Sequence, residues 1–150
     1  MKFSLVTVTF NSARTFRDTI NSVLSQTYQD LEYIIVDGLS SDGTVEIIKE
    51  YESLFCGRMK WISEKDYGLY DAMNKGFRMA TGEIVGIINS DDLIADPAAI
   101  EKVVKCFEDD GSIDAVYADL YYVAQNDTSK IVRHWKSRKQ RSFTKGWHPA

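Results

Sequence analysis

Apolar and polar positions along the chain fall into blocks that predict strands and helices in alternation. Four short runs rich in β-branched and other apolar residues are typical of buried strands, and they occupy residues 3–9, 31–36, 59–63 and 84–88. After each run, apolar residues recur every three or four positions, which predicts amphipathic helices. The helical positions are Phe16, Ile20, Val23 and Leu24; Val45, Ile48 and Tyr51; Leu69, Met73, Phe77 and Ala80; and Ile100, Val103, Val104 and Phe107.

Small polar residues mark where two of these helices should begin. Asn11 and Ser12 offer capping side chains ahead of the first helix. Asp96 followed by Pro97 predicts a cap and then a proline in the first helical position of the fourth helix. Further along, residues 115–117, 120–123 and 131–135 predict three short strands joined by tight turns.

Strand–helix alternation over about the first 110 residues predicts an α/β fold, with a mostly parallel sheet covered by helices on both faces. In an open sheet of this kind, ligands bind beyond the C-terminal ends of the strands. Polar residues collect at those ends, in residues 9–12, 37–44, 63–66 and 89–92. We therefore predict that four strand ends converge on one rim and form a binding site there.

Composition narrows the class of protein. The 150 residues suit about one domain, and 44% hydrophobic and 27% charged residues are ordinary globular values. There is no apolar run approaching the roughly 20 residues of a membrane helix, and no signal-peptide pattern at the start. Cys56 and Cys106 match no zinc or redox spacing, which favours two reduced thiols in a cytoplasmic protein.

The net charge of −4 hides a basic segment from Lys130 to Lys145, which contains no acid. Its basic residues are Lys130, Arg133, Lys136, Arg138, Lys139, Arg141 and Lys145. The charge leaves several interpretations open: a solvated, partly disordered segment, or a surface for nucleic acid, anionic lipid or a phosphorylated ligand. Trp135, Phe143 and Trp147 argue against a plain polar linker, because such residues usually pack on something.

Adjacent acids at the end of the fourth strand are the best metal-binding candidates. Hard divalent cations prefer oxygen ligands and often take only one or two carboxylates. Because consecutive side chains point in different directions, Asp91 is the first candidate, while Asp92 would hold the loop or a substrate hydroxyl. The alternative is a pair of solvated acids in a turn.

Other acids allow both structural and binding roles. Asp37 closes the second strand, where an acid in nucleotide-binding sheets often contacts a base or ribose. Asp42 is most simply a helix cap, and Asp71 is either a rim residue or a solvated helix acid paired with Lys75. The absence of G-x-G-x-x-G and P-loop motifs disfavours dinucleotide and P-loop binding, and no nucleophile–base set is evident.

Six sequence blocks follow one another in an order that resembles the family 2 glycosyltransferases. They are residues 6–12 (VTVTFNS), 25–28 (SQTY), 35–38 (IVDG), 40–44 (SSDGT), 66–76 (DYGLYDAMNKG) and 89–92 (NSDD). Members of this family are GT-A type enzymes that build bacterial polysaccharides. The resemblance covers about residues 3–125.

The resemblance implies a GT-A (Rossmann-like) fold and a nucleotide-diphospho-sugar donor of the UDP or GDP type. It implies transfer to a saccharide or lipid-linked acceptor, with inversion, assisted by Mg²⁺ or Mn²⁺. Asp37 would hydrogen-bond the base in a pocket lined by Thr9 and Asn11, and Asp71 matches an acid that contacts the donor. Asn89, Ser90 and Asp91 would form the family's D-x-D segment, with Asp91 as the metal ligand.

Two positions depart from the family's usual pattern. Asn89 stands in place of the first acid of D-x-D, so the metal prediction depends on Asp91. Gly38 and Leu39 follow Asp37 where many members have Asp-Asp-Gly, so the predicted base contact depends on Asp37 alone.

The resemblance also implies that the acceptor half of the family fold is missing, with the catalytic base expected beyond Ala150 and no catalytic residue assignable here. The predicted organisation of residues 1–150 is one nucleotide-sugar-binding domain, with a core at 1–125 and a basic loop or tail at 126–150. That tail would lie near the acceptor or touch the inner face of the membrane, and no nucleic-acid partner is expected.

Two other functions remain open at this level. A sugar nucleotidyltransferase has a similar sheet and metal, but it usually carries a glycine-rich basic loop after the first strand, which residues 8–12 lack. A non-catalytic nucleotide-sugar-binding module, or a truncated fragment, would retain donor binding without transfer.

Overall fold

The computed structural model describes residues 1–137, which fall into two compact units divided between Gly111 and Ser112. The first unit contains a four-stranded sheet with the strand order β3-β2-β1-β4, and every pair is parallel. Its strands are β1 (Phe3–Thr9), β2 (Leu31–Asp37), β3 (Met59–Ser63) and β4 (Ile84–Ile87). The predicted α/β fold with a mostly parallel sheet is confirmed.

Four α-helices connect and cover these strands: α1 (Phe16–Leu24), α2 (Thr44–Glu52), α3 (Leu69–Met79) and α4 (Ala99–Asp109). Alternate strand residues point to opposite faces of the sheet and form two separate cores. On one face, Phe3, Leu5 and Tyr33 pack with α1, α2 and α4. On the other face, Val6, Val8 and Ile34 pack with α3.

Two helices begin later than their capping residues predicted. α1 starts at Phe16, because a turn comes first in which the Ser12 carbonyl accepts bonds from the Thr15 and Phe16 amides, both at 3.0 Å. α4 starts at Ala99, because Asp96 Oδ1 instead caps a preceding turn by accepting the Ala98 amide at 2.9 Å.

The predicted apolar face of α3 is wrong for two of its residues. Leu69 and Phe77 are 54% and 40% exposed, whereas Ala72 and Gly76 are the buried positions. The helix lies so close to β1 that a Cβ on Gly76 would overlap Val6 Cγ1. Small residues therefore make the closest approach to the sheet, while Met73 and Met79 pack beside them and Leu69 and Phe77 are left outside.

The second unit contains an antiparallel pair of strands, β5 (Leu120–Ala124) and β6 (Asp127–Trp135). Residues 115–117, predicted as a strand, form none, and residues 127–135 of the predicted basic loop are strand. Residues 138–150 of that segment, including Phe143, Lys145 and Trp147, lie outside the described residues. Within residues 1–137, no helix combines the length and apolar character needed to cross a membrane.

A buried carboxylate, that of Glu32, links the strands near their N-terminal ends, on the side of the sheet opposite the predicted rim. Glu32 is 3% exposed and accepts hydrogen bonds from Ser4 Oγ at 2.5 Å, the Thr81 amide at 2.6 Å and Lys60 Nζ at 2.9 Å. Lys2 Nζ lies 3.0 Å from Glu32 Oε2. Burial alone would raise the pKa of this carboxyl, but the bonds from Ser4, Thr81, Lys60 and Lys2 outweigh it and hold the pKa well below its usual value.

Replacing Glu32 with Gln should lower the free energy of unfolding by about 2–3 kcal/mol near neutral pH, less than for a fully buried pair because both lysines are partly exposed. The pKa of Glu32 in the folded protein lies below 4.5, the ordinary pKa of a glutamate. The stabilisation is therefore fully present at pH values above 4.5, and it is lost progressively as the pH falls from 4.5 toward the folded pKa. Urea unfolding at about pH 7 and about pH 3.5 should show the gap between Glu32→Gln and the unmodified chain narrowing in acid. A gap that stays constant would contradict this account, and Glu52→Gln, at an exposed acid, is the charge-matched control.

Replacing Gly76 with Ala should also destabilise the fold, although alanine favours helix by about 1 kcal/mol. The added methyl group would meet Val6 and push α3 off the sheet, for a net loss of about 1–2 kcal/mol in the free energy of unfolding. Denaturant unfolding measures this, with Gly111→Ala as a control, since a Cβ there meets no atom within 4 Å. Equal stability of the two variants would show that α3 can move away at no cost.

Candidate functional site

Hydrogen bonds join the loops at the C-terminal ends of the strands into one rim. The loop after β1 meets the loop after β4 through the Ser12 and Ser90 hydroxyls, 2.9 Å apart, and Thr15 Oγ1 donates to the Ser90 carbonyl at 3.0 Å. The end of β3 meets the end of β2, where Ser63 Oγ donates to Asp37 Oδ2 at 2.6 Å. The predicted convergence of four strand ends is confirmed.

Asn11 connects the loop after β1 to the loop after β2. Its backbone N–H donates to Ser40 Oγ at 2.7 Å, and its side-chain Oδ1 accepts the backbone N–H of Ser41 at 2.9 Å. Its backbone is held at φ +50°, in the left-handed region that asparagine tolerates. The side chain predicted to line a nucleoside pocket is therefore also part of the loop's own framework.

Asp42 fulfils the structural role predicted for it. Its Oδ1 accepts the Thr44 hydroxyl at 2.6 Å at the start of α2, and its Oδ2 accepts the Ala13 amide at 2.9 Å. The bond from Thr44 is the main reason that the pKa of this carboxyl lies below its ordinary value. Asp42 thus fixes α2 against the loop after β1.

Asp37 is fully buried, and both of its oxygens are engaged. Oδ1 accepts the Ser40 hydroxyl at 2.5 Å, while Oδ2 accepts the Ser40 amide at 3.0 Å and the Ser63 hydroxyl at 2.6 Å. The carboxylate holds the loop after β2 against the end of β3. A ligand could touch it only after Ser40 or Ser63 had moved aside.

The loop after β4 separates its two acids, as the sequence predicted. Asn89 Nδ2 donates to Asp92 Oδ2 at 2.8 Å, and the Asp92 amide donates to the Asn89 carbonyl at 3.2 Å, so Asp92 closes the turn. Asp91 is exposed, and no partner for its carboxylate is found among residues 1–137. The side chain is therefore available to an external ligand.

The oxygen-only character of this loop suits a hard divalent cation. Within residues 1–137 there is no group of three or more His, Cys, Asp or Glu side chains that could hold a metal by themselves. Such an arrangement does not fit structural zinc, which takes four protein ligands. It fits Mg²⁺ or Mn²⁺, because such ions accept one or two carboxylates and complete their shell with water and phosphate oxygens.

A cavity of about 280 Å³ opens beside this loop at the end of β1. It is lined by Val8, Thr9, Phe10, Ser12, Asp66, Gly68, Leu69, Ala72 and Ser90. Thr9 is 5% exposed, and its Oγ1 has no hydrogen-bond partner within the described part of the chain. A buried hydroxyl without a partner costs free energy, and among the described residues the Thr19 hydroxyl shares this condition, so the cost is not specific to the cavity.

The cavity includes an acid that the sequence analysis did not single out. Asp66 Oδ1 accepts the Gly68 amide at 2.8 Å, and its Oδ2 lies 2.6 Å from the point where a Cβ on Gly38 would be. The available signals were its place in the polar stretch 63–66 after the third strand and at the start of the family-like block 66–76. The contact with Gly38 joins residues 28 positions apart and has no counterpart in local sequence.

Asp71 does not line the cavity. Its Oδ2 accepts the Tyr67 amide at 3.1 Å, which places it in a capping role at the first turn of α3. Lys75 Nζ lies 3.7 Å from Asp71 Oδ2 but only 2.9 Å from Glu64 Oε1, and it also donates to the Lys65 carbonyl at 2.6 Å. The helix pair predicted between Asp71 and Lys75 is present, as the weaker of the two ion pairs of Lys75.

Comparison with known sequences identifies relatives over most of the chain. The sequence model of Glycosyl transferase family 2 matches residues 4–149. An uncharacterised glycosyltransferase of Nostoc sp. is 35% identical over 108 residues, which are 72% of this chain and 33% of the relative. A PGL/p-HBAD biosynthesis glycosyltransferase of Mycobacterium bovis is 30% identical over 124 residues, which are 83% of this chain and 48% of the relative. The chain thus spans a third to a half of the length of these relatives.

Solved structures show the same fold. Residues 1–349 of Staphylococcus aureus TarS in complex with UDP-GlcNAc give a TM-score of 0.67 at 26% identity, covering 73% of this chain and 32% of TarS. The mannosyltransferase PcManGT of Pyrobaculum calidifontis in complex with GDP-Man and Mn²⁺ gives 0.68 at 23% identity, covering 85% of this chain and 37% of that one. The second likeness concerns the fold alone, and both neighbours are GT-A type glycosyltransferases. The resemblance seen in six sequence blocks is therefore confirmed: the chain belongs to glycosyl transferase family 2.

Proposed function

We propose that this chain is the donor-binding part of a glycosyltransferase that transfers a sugar from a UDP- or GDP-sugar to a saccharide or lipid-linked acceptor, with inversion. The observation that carries the proposal is the Asp91 carboxylate, which has no partner among residues 1–137 and follows directly on Ser90 at the wall of the cavity. A nucleoside in the cavity would place its diphosphate near Asp91, and a divalent cation held between the two anions would give the carboxylate a partner. Family membership and a structural neighbour bound to UDP-GlcNAc support this assignment.

Asp91 would be the protein ligand of Mg²⁺ or Mn²⁺ in this proposal. The ion, when bound, would offset the negative charge on the departing nucleoside diphosphate. Asn89 and Asp92 hold the turn that presents Asp91, through the bond between their side chains at 2.8 Å. Ser90 fixes the same turn to the loop after β1 through the Ser12 hydroxyl.

The nucleoside would lie against the loops after β1 and β2, with Thr9 in contact with it. Asn11 would shape this pocket through its bonds to Ser40 and Ser41. Asp37 would keep the second loop in place and would reach the base only if Ser40 swung away from it. Asp71 would act through the conformation of residues 67–71, since it caps the Tyr67 amide at the edge of the cavity.

The acceptor side of the reaction is proposed to use residues beyond Ala150, including the general base that takes the proton of the attacking hydroxyl. The basic segment from Lys130 to Lys145 would contact anionic lipid headgroups on the cytoplasmic side of the membrane. Lys130 and Arg133, which are in its described part, are exposed on β6.

Replacing Asp91 with Ala should abolish the Mn²⁺-dependent part of nucleotide binding. We expect UDP or GDP to bind the unmodified 150-residue chain more tightly with Mn²⁺ than without it, and Asp91→Ala to weaken binding with Mn²⁺ by about tenfold or more, or ~1.4 kcal/mol. Isothermal titration calorimetry with and without Mn²⁺ measures both terms. The matched control is Asp30→Asn, an exposed acid at the opposite edge of the sheet.

Unchanged Mn²⁺-dependent affinity in Asp91→Ala would remove Asp91 as the ligand. Incubation with UDP- and GDP-sugars plus Mn²⁺ then separates the classes of function. Slow donor hydrolysis or transfer supports the enzyme, whereas binding without turnover supports a nucleotide-sugar-binding module.

A further inference from the structure

We propose that Asp66, with Phe10, selects the base of the nucleotide, and that it favours bases that present a ring N–H, namely uracil and guanine. This inference rests on the proposed function, because it assigns the nucleoside to the cavity at the end of β1. It goes further by naming a selecting residue other than Asp37.

Burial argues against Asp37 in this role. The side chain has no exposed surface, and three hydrogen bonds from Ser40 and Ser63 occupy its two oxygens. Using it to read a base would cost the loop contacts that it makes. Its carboxylate is a structural group of the loop after β2.

Asp66 has the freedom that Asp37 lacks. It is half-buried at the cavity wall, and its Oδ1 is fixed by the Gly68 amide. No hydrogen-bond donor of residues 1–137 reaches its Oδ2, which lies in the space left by the missing side chain of Gly38. One oxygen thus orients the carboxylate, and the other remains as an acceptor for a ligand.

An aromatic ring lies beside this open acceptor. Phe10 lines the same cavity and is 63% exposed. A Cβ atom on Gly38 would lie 3.4 Å from Phe10 Cδ2 and 2.6 Å from Asp66 Oδ2, so the ring and the carboxylate both border the space beside Gly38. Proteins that bind single bases combine aromatic stacking with hydrogen bonds to the Watson–Crick edge. Thr9, whose buried hydroxyl has no partner among the described residues, lines the same cavity.

The chemistry of a carboxylate then decides between the bases. An ionised carboxylate only accepts hydrogen bonds. Uracil offers N3–H, and guanine offers N1–H together with its 2-amino group, so either base can donate to Asp66. Cytosine N3 and adenine N1 carry lone pairs at the matching position, which the carboxylate repels.

The test is the affinity of the 150-residue chain for UDP, GDP, CDP and ADP, each with Mn²⁺, measured by calorimetry. We expect UDP or GDP to bind about tenfold or more tighter than CDP and ADP, a difference in the range of a well-placed base contact. In Asp66→Asn the amide oxygen can still accept the Gly68 amide, while its NH₂ group replaces the open acceptor. The preference for UDP or GDP over CDP should then fall to about threefold or less.

Two further variants make the result decisive. Glu64→Gln removes an equal charge from an exposed acid of the same loop outside the cavity, and it should keep the preference. Gly38→Ala places a methyl group where Asp66 Oδ2 lies, and it should reduce the preference without removing the acid, which also covers the case in which Asp66→Asn fails to fold.

The outcomes separate this inference from the function on which it rests. Nucleotide binding with a base preference that survives both Asp66→Asn and Gly38→Ala overturns the inference and leaves the donor-binding proposal standing. Absence of binding for all four nucleotides to the unmodified chain overturns both. A preference lost in the two variants and kept in Glu64→Gln supports the assignment.

Discussion

The parallel register of four strands is the constraint on which the site depends. Thr9 pairs with Asp37, and Asp37 with Ser63, so β1, β2 and β3 end at the same level of the sheet. Each loop that leaves this level begins beside the others, and short polar side chains then join the loops directly. The rim is held mainly by hydrogen bonds between loops, whereas the apolar cores lie below it on the two faces of the sheet.

Much of this fold could be predicted from the sequence, because buried parallel strands leave continuous apolar runs. The bounds of all four strands agree with prediction to within one residue. The starts of α1 and α4 could not be predicted, because the hydrogen-bonding groups of Ser12 and Asp96 stabilise preceding turns instead of the helix ends. The Ser12 amide also bonds to a neighbouring loop. The buried face of α3 depends on how closely Gly76 approaches Val6, and that distance is a tertiary property with no local signature.

In the candidate site, too, features set by neighbouring residues could be predicted, whereas features set by distant residues could not. The adjacent acids after β4 could be told apart from sequence because consecutive side chains diverge, and the structure leaves Asp91 open while Asp92 closes the turn. The burial of Asp37 depends on Ser63, 26 residues away, which the sequence does not indicate. The open oxygen of Asp66 depends on the missing side chain of Gly38, one of the two departures from the family pattern.

The hydrogen bond between the Ser12 and Ser90 hydroxyls connects the loop after β1 directly to the loop after β4. Thr15 reinforces the junction by holding the backbone of Ser90. Ordering the loop after β1 would therefore also restrict the loop after β4. The entropy lost on ordering the second loop would then be smaller. Such coupling is reciprocal, so restricting the loop after β4 would restrict the loop after β1 by the same free energy.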